Sequence, residues 1–201
     1  MSLPAGDRKL IQIVDAALAD TARRSGDWLV CKPGCTQCCV GVFAINQLDA
    51  LRLRRGLEEL DIIHPSLAWE VRRRAAESMA RLAADFPGDA VTGVLSEEPA
   101  ALARFEGFGN QEPCPALDPE TGLCDVYAAR PMLCRVFGPP VRSENGLGVC
   151  ELCYHGASNE QIAACELQPD PDGVEAKLLN ELEARGLRGQ TIVAFALGMS
   201  F

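Results

Sequence analysis

Leu10, Ile13, Val14, Ala17 and Leu18 recur at three- and four-residue spacing with charged residues between them. That period predicts an amphipathic helix over residues 8–25, stopped at Gly26. Asn46 with Asp49 resembles a capping box and opens a second helix through Leu48, Leu51 and Leu57, to about Leu60. Ala68, Val71, Ala75, Met79, Leu82 and Phe86 keep one face apolar and predict a third from about Pro65 to Phe86, ended by Pro87 and Gly88. Ser96 ahead of Glu97, Glu98 and Pro99 has the form of a further helix start, its carboxylates suiting the positive end of the backbone dipole. That helix should fade near Gly107 and Gly109.

Residues 110–157 change character. Pro113, Pro115, Pro119, Pro131, Pro139, Pro140 and several glycines interrupt any period, so a loop-rich segment is expected. Helical signals return at Ser158 with Gln161 and at Asp172 with Glu175, where Val174, Leu178, Leu179 and Leu182 line a face before Gly186. Strand signals are confined to short runs around Leu29–Val30 and Val40–Ile45. The apolar run from Ile192 to Phe201 is about half of the ~20 residues that span a bilayer, and reads as a buried terminal helix or strand. The expectation is a mainly α fold: one domain over 1–201, with cysteine blocks at 31–39 and 114–153 and a helical insertion at about 46–110. A loop segment this long in a compact domain calls for something to order it.

Cysteine content supplies a candidate. The chain has ten cysteines, four of them as Cys31, Cys35, Cys38 and Cys39 in CKPGCTQCC, and six downstream as Cys114, Cys124, Cys134, Cys150, Cys153 and Cys165. At 201 residues and 48% apolar composition the core is large enough to fold without covalent staples. No apolar stretch of secretory type opens the chain, so a reducing cytoplasmic setting is expected, in which thiols bind metal or do redox chemistry. The formal net charge of -9 argues against nucleic acid, which needs clustered Lys and Arg. The basic run Arg72, Arg73 and Arg74 lies between acidic residues and reads as the wet side of a helix.

Thiolates are soft donors that favour zinc, iron–sulfur clusters or cuprous copper. A zinc with four thiolates needs sulfur at tetrahedral corners about 2.3 Å from the metal, which short CxxC turns supply. Cys35 to Cys38 and Cys150 to Cys153 have that spacing. Adjacent Cys38 and Cys39 are expected to point apart and to serve two metals, or one metal and a second role. So many thiols exceed one mononuclear site; two metals or one multinuclear cluster are expected.

Cys114, Cys124 and Cys134 follow at equal ten-residue intervals, and Arg130–Pro131 introduces a helical turn that carries Cys134. Together with CKPGCTQCC these residues resemble the YkgJ-type cysteine-cluster family, the CxxCxxCC zinc- or iron-chelating domain. The matching elements are Cys31, Cys35, Cys38 and Cys39; Cys114, Pro115 and Leu117; Cys124 and Tyr127; and Arg130, Pro131, Cys134 and Arg135. The resemblance implies chelation of zinc, or of iron alone or as a 4Fe–4S cluster, with an eighth cysteine that spacing leaves open between Cys150 and Cys153. Cys165 reads equally as a small buried hydrophobe or a ligand.

Other chemistry competes less well. CxxxCxxC over Cys31, Cys35 and Cys38 is the spacing of radical S-adenosylmethionine enzymes, but the chain has no alternating strand–helix pattern, and Gln37 stands where that class carries an aromatic residue. A thioredoxin-like role for Cys35 and Cys38 lacks its βαβ setting. His64 reads as a surface turn residue and His155 as a loop residue, and Asp118, Glu120 and Asp125 as loop carboxylates. Arg130 and Arg135 flank Cys134, where they either offset thiolate charge or pair with carboxylates. P-loop, dinucleotide, GxSxG and HExxH motifs are missing. The alternative function is an iron–sulfur enzyme modifying a protein substrate, because the flagellin lysine N-methylases share this cysteine-cluster type. Metal is the expected partner, with a protein partner on the alternative reading; neither nucleic acid nor membrane is expected.

Overall fold

The computed structural model describes residues 2–143 and 146–199. In chain order its elements are α1 (Asp7–Ser25), β1 (Ala44–Asn46), α2 (Gln47–Ile63), α3 (Pro65–Leu82), β2 (Gly88–Asp89), β3 (Val94–Leu95), α4 (Pro99–Phe105), α5 (Met132–Val136), β4 (Val141–Ser143), β5 (Gly146–Gly148), α6 (Asn159–Ala164), α7 (Val174–Ala184), β6 (Gln190–Ile192) and α8 (Val193–Gly198). The protein is mainly helical. Among the described residues no helix is long and apolar enough to cross a membrane.

The elements gather into two interleaved units. One holds Thr36–Pro131 with the two chain ends, Met1–Leu3 and Leu182–Phe201; the other holds Pro4–Cys35 and Met132–Glu181. In the first unit, β1 and β6 pair antiparallel, Ala44 opposite Ile192 and Asn46 opposite Gln190. Each strand runs directly into a helix, β1 into α2 and β6 into α8. The Asn46 side chain accepts a hydrogen bond from the Asp49 amide at 2.9 Å, satisfying one of the orphan donors at the start of α2. Pro65 occupies the first turn of α3, where a missing N–H costs nothing. Helices α2, α3 and α8 enclose a core of Ile45, Leu53, Leu57, Val71, Ala75, Val193 and Leu197, with Ala116 and Val126 built into it. A second cluster joins Leu82, Phe86, Phe108, Ile192 and Phe195, the Phe86 and Phe195 rings 4.5 Å apart.

In the second unit Leu10 and Val14 of α1 are fully buried. Arg135 on α5 pairs with Asp15 on α1 at 2.9 Å. The β4–β5 hairpin is joined to the segment after α6 by a parallel bridge from Val141 to Leu167. Helix α6 has a full capping box, Ser158 with Gln161.

Several boundaries differ from the sequence reading. The third helix stops at Leu82 and tightens into a 3-10 turn over Ala83–Asp85, so Phe86 packs from outside it. The fourth is capped at Glu98, with Ser96 Oγ accepting from the Glu98 amide, and ends at Phe105. The start of α7 is held by Asp170, whose carboxylate accepts from the Val174 and Glu175 amides at 2.9 and 2.8 Å, and not by Asp172. Leu29–Val30 forms no strand, following a 3-10 turn over Gly26–Trp28. The run from Val40 reduces to a bridge at Val40 and to β1, because Gly41 takes a left-handed φ of 101° between them. The terminal apolar run supplies both structures expected of it, the end of β6 at Ile192 and buried α8; Ser200 and Phe201 lie outside the described residues.

Candidate metal centre

Cys38 and Cys39 lie in a 3-10 turn, Gln37–Cys39, closed by the Cys39 amide donating to the Thr36 carbonyl at 2.8 Å. The backbone then pairs with the segment before the second cysteine block. The Cys114 amide donates to the Cys39 carbonyl at 2.8 Å, Val40 bridges Pro113, and the Gly41 amide donates to the Glu112 carbonyl. Cys114 is thereby fixed beside Cys39. Beyond it the chain makes a hairpin: the Asp118 amide donates to the Leu123 carbonyl, the Asp125 amide donates to the Ala116 carbonyl, and Leu117 bridges Cys124. Gly122, at φ 70°, makes the turn possible. Ala116 and Val126 anchor the hairpin in the core, each just after a cysteine or its turn.

The thiols of Cys38, Cys39, Cys114 and Cys124 form one neighbourhood in the first unit. Cys38 and Cys39 are hydrogen-bonded to each other through their side chains, so the expectation that neighbours point apart is corrected. That contact, then burial, pushes the Cys38 thiol well above its ordinary range. Burial pushes the Cys114 thiol up to about 12, with the charges of Cys124 and Cys38 adding and the Ala116 and Leu117 amides opposing. Burial also raises Cys124, opposed by the Val126 amide and the Arg130 guanidinium. Each of these two sulfurs thus has amides of the residues just after it directed at it, an arrangement that favours a charged sulfur.

Arg74 holds this hairpin. Its Nε donates to the Pro115 carbonyl at 2.9 Å and its Nη2 to the Asp125 carboxylate, with both side chains largely buried. The basic run is therefore not uniformly the wet side of a helix. Arg72 and Arg73 pair at the surface with Asp61 and with Glu70 and Glu77, while Arg74 reaches inward. Sequence carried no signal for that difference beyond helical phase.

The second unit gathers Cys31, Cys150 and Cys153. Cys153 is buried, its amide donates to the Cys150 carbonyl at 2.9 Å, and the Cys150 and Cys153 side chains are hydrogen-bonded. Burial raises the Cys153 thiol, while the Val30 and Cys31 amides at its sulfur oppose the rise. Gly138, at φ 115°, passes over Cys31: a methyl group there would stand 3.2 Å from Cys31 Cβ and 3.6 Å from its Sγ. The Gly138 carbonyl accepts from the Cys150 amide at 3.4 Å. Cys35 and Cys134 belong to the same unit and are partly exposed, Cys35 in a turn closed on the Lys32 carbonyl and Cys134 on α5. The nine-residue cysteine block is therefore divided between two neighbourhoods.

Cys165, 2% exposed, packs in one cluster with Cys153 and Tyr154, with Cys150 against it. His64 is an exposed residue at the corner between α2 and α3, and His155 is exposed in its loop. Asp118 accepts from the Glu120 amide and from Thr121 Oγ1 within its own turn. Arg130 lies over the Tyr127 ring at 3.8 Å, whereas Arg135 is 3% exposed and occupied with Asp15.

Among the described residues no group of three or more His, Cys, Asp or Glu side chains is already arranged to hold a metal ion. The donors fit one chemically, being soft thiols with amides facing Cys114, Cys124 and Cys153 and a glycine cradle over Cys31.

A family model, "CxxCxxCC: Putative zinc- or iron-chelating domain", matches residues 30–154, more than half of the chain. No curated protein and no solved structure matches it.

Proposed function

Because this chain belongs to the CxxCxxCC family of zinc- or iron-chelating domains, we propose that it binds zinc, or iron in its place, through two thiolate sets, one in each unit. One set is Cys38, Cys39, Cys114 and Cys124. The other is Cys31, Cys150 and Cys153, completed from Cys134 and Cys35 of the same unit. The observation that carries this reading is the first neighbourhood: four thiols from three separate stretches, Cys39 fixed beside Cys114 by a backbone hydrogen bond, Cys124 across the hairpin, and Cys114 and Cys124 facing amides. Thiols give up their protons to bind, so uptake of metal displaces protons. Four thiolates around one divalent cation keep a net charge of about -2, which the amides facing Cys114 and Cys124 and the Arg130 guanidinium partly offset.

Bound metal would supply charge neutralisation and cross-linking of loops that have little regular structure. Arg74 and the hairpin position Cys114 and Cys124 beforehand, and the 39–41 pairing brings Cys39 to them. Four protein sulfurs make a closed site, the pattern of structural binding and not of an open catalytic position. In the test, the full chain is loaded with zinc under anaerobic conditions and its metal content compared with that of the double variant Cys38→Ser, Cys124→Ser. The variant should lose one equivalent and keep the other. Unchanged metal content would contradict this assignment.

A further inference from the structure

Tyr154, directly after Cys153, is the one described residue other than glycine with a left-handed backbone, φ 60°. Non-glycine residues persist there only where their surroundings over-determine them. Here they do. The Tyr154 amide donates to the Trp28 carbonyl at 2.8 Å, its ring lies 6.4 Å from that of Trp28, and its side chain is buried. Its hydroxyl is hydrogen-bonded to Ser25 Oγ, and Cys165 packs in the same cluster.

Counting hydrogens fixes the direction of this buried chain. Ser25 Oγ donates its single hydrogen to the Thr21 carbonyl at 2.7 Å. Ser25 must then accept from the Tyr154 hydroxyl, since each hydroxyl has one hydrogen to give. The order is Tyr154 O–H to Ser25 O–H to the Thr21 carbonyl on α1. Thr21 and Ser25 are each at most 2% exposed, so water does not substitute for either link.

We propose that Tyr154 is the positioning residue of the Cys31, Cys150 and Cys153 thiol set, tying the chain just after Cys153 to α1. This rests on the chelation reading above. The tether keeps the Cys153 sulfur at the Val30 and Cys31 amides, and Cys153 with Cys150 in contact. Without the hydroxyl, the left-handed turn at Tyr154 loses one of its supports.

Cobalt(II) is a suitable probe, because its thiolate charge-transfer bands report the ligand sphere. The full chain and the variants Tyr154→Phe, Ser25→Ala and Cys165→Ser are loaded with cobalt(II), and metal release to a chelator is followed. Tyr154→Phe and Ser25→Ala should release one of the two equivalents roughly tenfold faster, with altered charge-transfer bands, and leave the other equivalent unchanged. Cys165→Ser, a change in the same cluster that leaves the Tyr154 and Ser25 side chains in place, should behave as wild type. Release and spectra of Tyr154→Phe and Ser25→Ala equal to wild type would overturn the proposal alone. A wild-type chain that takes up no cobalt would overturn the chelation reading and this one with it. The metal-free melting temperatures separate positioning from folding: faster release in proportion to a lower melting temperature in every variant, Cys165→Ser included, would also count against it.

Discussion

Gly56 shows how little a single residue needs to do to shape the site. It lies on α2, and a methyl group there would come within 2.3 Å of Ala129 Cβ, in the 3-10 turn that follows Cys124. In an exposed helix, Gly to Ala gains about 1 kcal/mol. Here overpacking costs about 1–3 kcal/mol and outweighs the gain. Gly56→Ala should therefore lower stability in urea unfolding, and an increase would show that the turn yields freely. At this scale the sequence placed Arg72 and Arg73 on a solvated face. It could not distinguish Arg74, because burial of one arginine in three depends on which loop returns to that face. Tyr154 was equally silent: nothing in CELCYHG marks a left-handed tyrosine with a buried hydroxyl.

At the level of elements, local chemistry was readable where one residue acts on its near neighbours. The Asn46 cap and the Ser158–Gln161 box are contacts within three residues, and both formed. The cap of α7 lies two residues earlier than predicted, since Asp170 serves two amides at once. Longer-range joins were not readable, such as the one between β4 and the end of α6. There Arg142 grips both carboxylate oxygens of Glu166, and the Leu167 amide donates to the Pro140 carbonyl at 2.8 Å. The Arg142 hydrogen bond holds the Glu166 carboxyl below its ordinary value of 4.5. A lowered carboxylate contributes stability that is present above 4.5 and lost as pH falls through the folded-state value. Arg142→Ala should therefore be less stable than wild type at neutral pH, with the gap closing in acid below that range. A gap that widened on acidification in parallel denaturant titrations would contradict the pairing.

For the molecule as a whole, the sequence indicated a mainly helical protein whose irregular segment carries the thiols. What it did not reveal is the division. CKPGCTQCC looks like one ligand block, yet the unit boundary falls between Cys35 and Thr36, with Cys31 and Cys35 in one unit and Cys38 and Cys39 in the other. Such a partition depends on where the chain returns at 114–124 and at 150–153, which local spacing does not encode. On the chelation proposed above, the division would supply two thiol sets, one for each metal. Elemental analysis of anaerobically purified full-length chain, with melting followed before and after chelator, tests this most directly. The account predicts two equivalents of zinc or iron per chain and a lower melting temperature once they are removed. A chain free of both metals, with melting indifferent to chelator, would contradict it.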